Sequence, residues 1–318
     1  MIICVSANPA IDRRLCVERL APGAVNRAHL VEPAPGGKAA HVAMAARALG
    51  QEVVWVGFLG GATGEECERG LRALGVPVVA VRTRSATRIN LEIIDAAGAV
   101  TEVLEPGGEV EPDELAAMFA ACEAWFTRGG TGAQVALAGS LPPGVPTDFY
   151  ARLIGAARAY GCRTLLDTSG EALLAGLAAR PDFVKPNRQE AESALGAPVR
   201  DEVDAGGAAR WMIARGARGA AVSLGADGLL WQEGAGAAPI LARPPAVAVR
   251  STVGCGDASV AGFAVAAARA LAPAEAARLA AACGAANCLA PAPGRITAAE
   301  VERLAPMVTI ISDLEVHL

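Results

Sequence analysis

Lysine is almost missing from this chain of 318 residues. Of 28 basic residues only Lys38 and Lys185 are lysines, and the rest are arginines. Asparagine is nearly as scarce, confined to Asn8, Asn26, Asn90, Asn187 and Asn287. Where composition has moved this far, a lysine that remains is expected to serve as a compact point charge. Aromatic residues make up only 4 %. An excess of positive charge is also lacking: the formal net charge is −5, which argues against a nucleic-acid surface or an anionic-membrane binder. No uncharged apolar run reaches the roughly 18 residues of a membrane span. The opening Met1–Ala7 has no basic leader and reads as a buried strand rather than a signal peptide. The eight cysteines show no C-x-x-C spacing, so a zinc site and a disulfide framework are not expected, and the thiols read as those of a cytoplasmic protein. Two phosphate-binding signatures are missing as well, G-x-x-x-x-G-K-[ST] and G-x-G-x-x-G.

What is present is an apolar content of 53 %, enough for a sizeable core. Strand-like runs at 134–138, 164–167, 183–185 and 220–224 alternate with helical runs at 112–128, 147–160, 189–195 and 204–215. Such alternation predicts βαβ units, that is, an α/β fold with a mostly parallel sheet and helices on both faces. Its ligands are expected beyond the carboxyl ends of the strands. Two stretches break the pattern. Residues 11–20 with 27–32, and 88–95 with 101–104, read as short strands without helices. They predict a small projecting sheet that covers a ligand with one face and pairs with a second copy through the other.

The segment Gly254-Cys255-Gly256-Asp257 precedes an Ala-rich helical run. Glycines let the backbone approach a ligand closely, and a helix start offers unpaired amides and the positive end of the dipole. The amides of Gly254, Cys255 and Gly256 would form an anion hole. Asp257 would act as the base that takes a proton from an accepting hydroxyl. A first-turn Asp that merely stabilises its own helix fits the same four residues.

Further motifs occur in one order: Asn8-Pro9-Ala10-Ile11-Asp12, Gly36-Gly37-Lys38, Thr87-Arg88-Ile89-Asn90, Gly139-Ser140-Leu141-Pro142, Lys185-Pro186-Asn187 with Glu190, Ser223-Leu224-Gly225-Ala226-Asp227-Gly228, and Gly254 to Asp257. Together they resemble the ribokinase/PfkB-like sugar kinases over residues 1 to about 294. Asn8 to Asp12 is most similar to the 1-phosphofructokinase and tagatose-6-phosphate kinase branch. The resemblance implies one ribokinase-like domain over residues 1–318: a three-layer α/β/α body with a mostly parallel central sheet and a small β-sheet lid drawn from about 11–32 and 88–104. It implies ATP as phosphoryl donor with Mg²⁺, a small sugar phosphate as acceptor, and a homodimer joined through the lid.

The resemblance also implies roles. Asp12, Gly37, Lys38, His41, Arg88, Asn90 and Ser140 fall in the sugar-phosphate site, with Arg27 reaching a substrate phosphate across a dimer. Lys185, Asn187, Ser223, Gly225, Gly228, Thr252 and Asn287 fall on the nucleotide side, and Glu190 organises Mg²⁺ through water. Asn187 and Glu190 also match a helix capping box. One departure stands out: the family pattern Gly-Gly-Lys-Gly-x-Asn reads here Gly-Gly-Lys38-Ala39-Ala40-His41. The expected reaction is phosphorylation of fructose 1-phosphate to fructose 1,6-bisphosphate. Tagatose 6-phosphate, fructose 6-phosphate or a free sugar are alternative acceptors, and a non-catalytic sugar-phosphate sensor is the alternative of another class.

Overall fold

The computed structural model describes residues 1–30 and 33–312; Val31 and Glu32, the end of the expected second lid strand, lie outside the described residues. In chain order the strands are β1 (Ile2–Ser6), β2 (Ala10–Val17), β3 (His29–Leu30), β4 (Ala34–Gly36), β5 (Val53–Leu59), β6 (Val78–Arg82), β7 (Arg88–Asp95) and β8 (Val100–Leu104). There follow β9 (Gln134–Ala138), β10 (Arg163–Asp167), β11 (Phe183–Val184), β12 (Ala220–Ser223), β13 (Leu229–Gln232), β14 (Ile240–Arg243) and β15 (Thr309–Ile311). The helices are α1 (Lys38–Ala48), α2 (Gly61–Ala73), α3 (Pro112–Gly129), α4 (Phe149–Ala159), α5 (Gly170–Ala178), α6 (Arg188–Leu195), α7 (Glu202–Ala214), α8 (Cys255–Ala268), α9 (Pro273–Leu289) and α10 (Ala298–Leu304).

Strand β1 shows why the body has three layers. All five of its residues are buried. Ile2 and Cys4 pack into a core shared with α1, α8 and α9, while Ile3 and Val5 pack into a second core with α3, α4 and α7. A strand covered on both faces needs apolar residues at every position. The main sheet has ten strands in the order β15-β14-β13-β12-β11-β10-β9-β1-β5-β6. From β11 through β6 the pairings are parallel, whereas β12 to β15 pair antiparallel. The chain runs from β1 outward through β5 and β6, then returns to β9 on the other side of β1. This is the switch point at which open α/β sheets bind ligands.

The second sheet is the projecting lid, and it holds five strands. Besides the four expected segments it includes β4, which pairs antiparallel with the start of β2, Ala10 opposite Gly36. At its centre β2 and β7 run parallel, in register from Ala10–Arg88 to Val17–Asp95. That pairing aligns Asp12 with Asn90. Strand β8 folds back on β7 as the expected hairpin, with four of its five residues exposed.

Candidate active site

One cleft of about 1070 Å³ lies between the lid and the carboxyl ends of the main-sheet strands. Every candidate residue named from the sequence lines it except Arg27 and Asn287. Arg27 is exposed and stands away from the cleft wall. Asn287 is buried behind it, where its amide is fully engaged: Nδ2 donates to Val253 O at 2.7 Å, and Oδ1 accepts from Gly294 N at 2.8 Å. Asn287 thus braces the loop before α8.

The reactive end begins at Gly254, the N-cap of α8, at φ 78°. That left-handed angle suits glycine, and a Cβ there would also lie 2.7 Å from Pro293 Cβ. The Cys255 amide turns back onto Thr252 O at 3.3 Å, and the Ala258 amide onto Gly254 O at 2.9 Å. The amides of Gly256 and Asp257 are left facing the cleft as donors at the positive end of the helix. Lys185 is buried and points to the same place; a Cβ on Gly256 would lie 3.3 Å from its Nζ.

Asp257 stands on the first turn of α8 and is buried. Its Oδ2 lies 2.7 Å from His41 Nδ1, and His41 Nε2 lies 2.9 Å from Asp12 Oδ2. The imidazole therefore bridges the candidate base and the lid carboxylate. Asp12 Oδ1 accepts a hydrogen bond from Asn90 Nδ2 at 2.8 Å, which the parallel β2–β7 register makes possible. Gly36 presses on the same carboxylate, since a Cβ there would come within 2.1 Å of Asp12 Oδ1. Burial alone would lower the pKa of His41. The hydrogen bonds and charges of Asp12 and Asp257 outweigh it and push the group up to about 10. Both contacts are hydrogen bonds at once when the ring is an imidazolium, donating from each nitrogen. The sequence pattern places His41 against the substrate, but both its ring nitrogens are engaged by the two carboxylates. Asp257 Oδ1 carries no hydrogen bond among the described residues.

The opposite wall carries the second charged cluster. The sequence pattern groups Lys38 with Arg88, but its Nζ lies 2.7 Å from Asp167 Oδ1 and 2.6 Å from Glu190 Oε1. Burial opposes the charge on Lys38, yet Asp167, Glu190 and Asp257 override it and hold the ammonium protonated. Asp167 ends β10 and also faces Lys185 at 3.5 Å. Burial would raise its pKa, but Lys185 and Lys38 hold it below the usual carboxylate range. In the sequence Asp167 is only an acid at a strand's end, and these partners give it a place in the site.

Asn187 and Glu190 do form a capping box on α6, with Glu190 N donating to Asn187 Oδ1 and Asn187 N donating to Glu190 Oε2, each at 2.9 Å. That box leaves Glu190 Oε1 turned toward Lys38 and the cleft. Ser223 ends β12, and Gly225 and Gly228 sit in the turn into β13, at φ 65° and 118°. The Arg88 guanidinium lines the cleft from the lid root, donating to Asn8 O and Glu105 O. Ser140 Oγ accepts from Asn8 Nδ2 at 3.1 Å. No group of three or more His, Cys, Asp or Glu residues that could enclose a metal occurs among the described residues. No described helix is long and apolar enough to cross a membrane.

Comparison with known proteins gives matches over most of the chain. The model of the pfkB family of carbohydrate kinases matches residues 1–298. A 1-phosphofructokinase from Rhodobacter capsulatus is 40 % identical over 280 residues, 88 % of this chain and 87 % of the relative. One from Xanthomonas campestris pv. campestris is 39 % identical over 269 residues, 83 % of each chain. Among solved structures, the tetrameric inhibited form of phosphofructokinase-2 from Escherichia coli superposes with a TM-score of 0.87 at 30 % identity, covering 96 % of this chain and 98 % of that one.

Proposed function

This chain belongs to the pfkB family of carbohydrate kinases, and we propose that it transfers the γ-phosphoryl group of ATP to a hydroxyl of fructose 1-phosphate, giving fructose 1,6-bisphosphate. The observation that carries this reading is the position of Asp257. It stands at the N-terminus of α8, tied through His41 to the lid carboxylate Asp12 on one side and facing the Lys38–Glu190 cluster across one cleft. The acceptor sugar lies under the lid, its hydroxyls against Asp12 and Asn90 and its phosphate toward Arg88. Asp257 Oδ1 takes the proton of the attacking hydroxyl. The Gly256 and Asp257 amides, with Lys38 and Lys185, hold the charge spread over the transferring group, so that positioning and electrostatics supply the catalysis.

The nucleotide lies along the turn at Gly225–Gly228. Glu190, with Asp167 beside it, would hold a magnesium ion through water. With no protein cage of three or more such groups among the described residues, the residues fit an ion that keeps most of its waters and binds through the nucleotide phosphates. Such an ion neutralises phosphate charge during transfer. The protein works in the cytoplasm as a homodimer joined through the lid.

The substrate reading is tested by a coupled ADP-release assay over fructose 1-phosphate, fructose 6-phosphate, tagatose 6-phosphate and free fructose. The expected result is the highest kcat/KM for fructose 1-phosphate. A higher value for any other acceptor overturns the substrate assignment and leaves the kinase class intact.

A further inference from the structure

Cys255 and Cys288 come together at the back of the anion hole. Cys255 is the first residue of α8, between Gly254 and Gly256, and Cys288 is next to last in α9. Their Sγ atoms lie 3.2 Å apart. Both are half-buried and border the cleft, whereas Cys4, Cys67, Cys122, Cys162 and Cys283 are buried in the cores. The sulfurs are well placed for reaction with each other and with a small solute entering the cleft. A hydrogen bond between the two sulfurs lowers the pKa of the Cys288 thiol, which favours its thiolate. The same contact, with burial second, pushes Cys255 upward and keeps it protonated. Burial pushes Cys4 and Cys283 well above the usual thiol value; Cys16, the other half-buried thiol, stands on β2 and does not line the cleft, so Cys255 and Cys288 are the half-buried thiols that border it.

We propose that Cys255 and Cys288 are an oxidation site for hydrogen peroxide, and that the disulfide they form switches off the anion hole. The Cys288 thiolate attacks one peroxide oxygen. The O–O bond breaks, the other oxygen leaves as hydroxide and takes up a proton to become water, and Cys288 becomes a sulfenic acid. The Cys255 sulfur then attacks the sulfenic sulfur, the S–O bond breaks, and the thiol proton leaves with that oxygen as a second water. Two thiols lose two electrons in all, and one peroxide gains them. A dithiol reductant returns both cysteines by thiol–disulfide exchange.

The effect on the site follows from bond length. A disulfide needs sulfurs about 2.05 Å apart, so the pair must close by roughly 1 Å. Cys255 lies in the backbone that presents the Gly256 and Asp257 amides. Cys288 follows Asn287, whose amide clamps the Val253 and Gly294 loops and also lies 3.5 Å from Cys255 Sγ. Drawing Cys255 toward α9 therefore shifts the amides and Asp257 together. A misplacement of that size costs about 10²-fold in rate.

The loss of activity rests on the kinase reading above; the disulfide itself does not, so the test reads both. Purified full-length protein is treated with a small excess of hydrogen peroxide, alkylated, and examined by peptide mass mapping and by the kinase assay before and after dithiothreitol. Wild type is expected to yield a peptide pair cross-linked through Cys255 and Cys288, short of two hydrogens, and to lose about 10²-fold activity that dithiothreitol restores. Cys288→Ser, compared with its own reduced form, is expected to form no cross-link and to keep its activity under peroxide. A cross-link without loss of activity overturns the switch, and oxidation at other cysteines with the pair still reduced overturns the site. Because the cross-link is read by mass, a protein inactive on every sugar tried still shows whether the disulfide forms.

Discussion

His41 Nδ1 lies 2.7 Å from Asp257 Oδ2, at the point in the family pattern where an asparagine is expected. The first consequence is that the side chain closest to the candidate base carries a charge rather than a neutral amide. The pKa of His41 is pushed from 6.5 to about 10, so it stays protonated throughout the neutral range. A group whose folded pKa is raised contributes stability that is complete below its unfolded pKa and is lost as pH rises through the folded one. Wild type should therefore exceed His41→Asn in Tm most clearly near pH 6, and the gap should narrow between pH 6.5 and about 10. Parallel thermal-melt series for the two proteins check this; a gap that widens with pH contradicts it. The same charge state removes His41 as a source of pH dependence in substrate KM between about pH 6.5 and 8.

Arg88 faces the cleft from the lid root with its guanidinium steadied by two backbone carbonyls. A charge-assisted hydrogen bond to a substrate phosphate contributes about 1.5–3 kcal/mol, or some ten- to a hundredfold in affinity. Arg88→Ala should raise KM for the sugar phosphate by that factor and leave slow turnover of the free sugar nearly unchanged. Equal losses on both acceptors would remove Arg88 from the phosphate site.

Lys38 sits on the other wall, paired with Asp167 and Glu190. Lys38→Met should lower kcat and raise KM for ATP, with a smaller change in KM for the acceptor. Initial-rate kinetics with each substrate varied in turn separates these effects. A rise confined to the acceptor's KM would return Lys38 to the sugar-phosphate side.

Leu104 on β8 lines the cleft, and the outer face of the same strand leaves Thr101 exposed and Val103 at 52 % exposure. A second lid covering that face should make the protein a dimer in light scattering at micromolar concentration, and Val103→Lys should weaken it. A monomer at that concentration contradicts the pairing.

Much of this site is legible in the sequence because its motifs lie at the ends of strongly patterned elements. The run 134–138 reads as a strand and is β9, Gln134–Ala138, and Gly254 to Asp257 opens α8 as expected. What escapes depends on partners far apart in the chain. Lys38 and Asp167 are 129 residues apart, and His41 and Asp257 are 216 apart; no local pattern links them. Strand β4, Ala34-Pro35-Gly36, has neither the length nor the composition of a strand and exists because β2 offers it an edge. The parallel β2–β7 pairing is equally hidden, and it is what brings Asn90 to Asp12. The sequence pattern puts Asn287 on the nucleotide side, yet only packing shows both ends of its amide to be spent on the loops around α8.

The central claim is that Asp257 is the base rather than a first-turn residue stabilising α8. Asp257→Asn keeps size and polarity and removes the proton acceptor. Single-turnover and steady-state kinetics with fructose 1-phosphate, alongside nucleotide affinity by titration calorimetry, measure it most directly. The account predicts that kcat falls by about 10²–10⁴ while nucleotide affinity stays near that of wild type. Near-normal turnover in Asp257→Asn would contradict it.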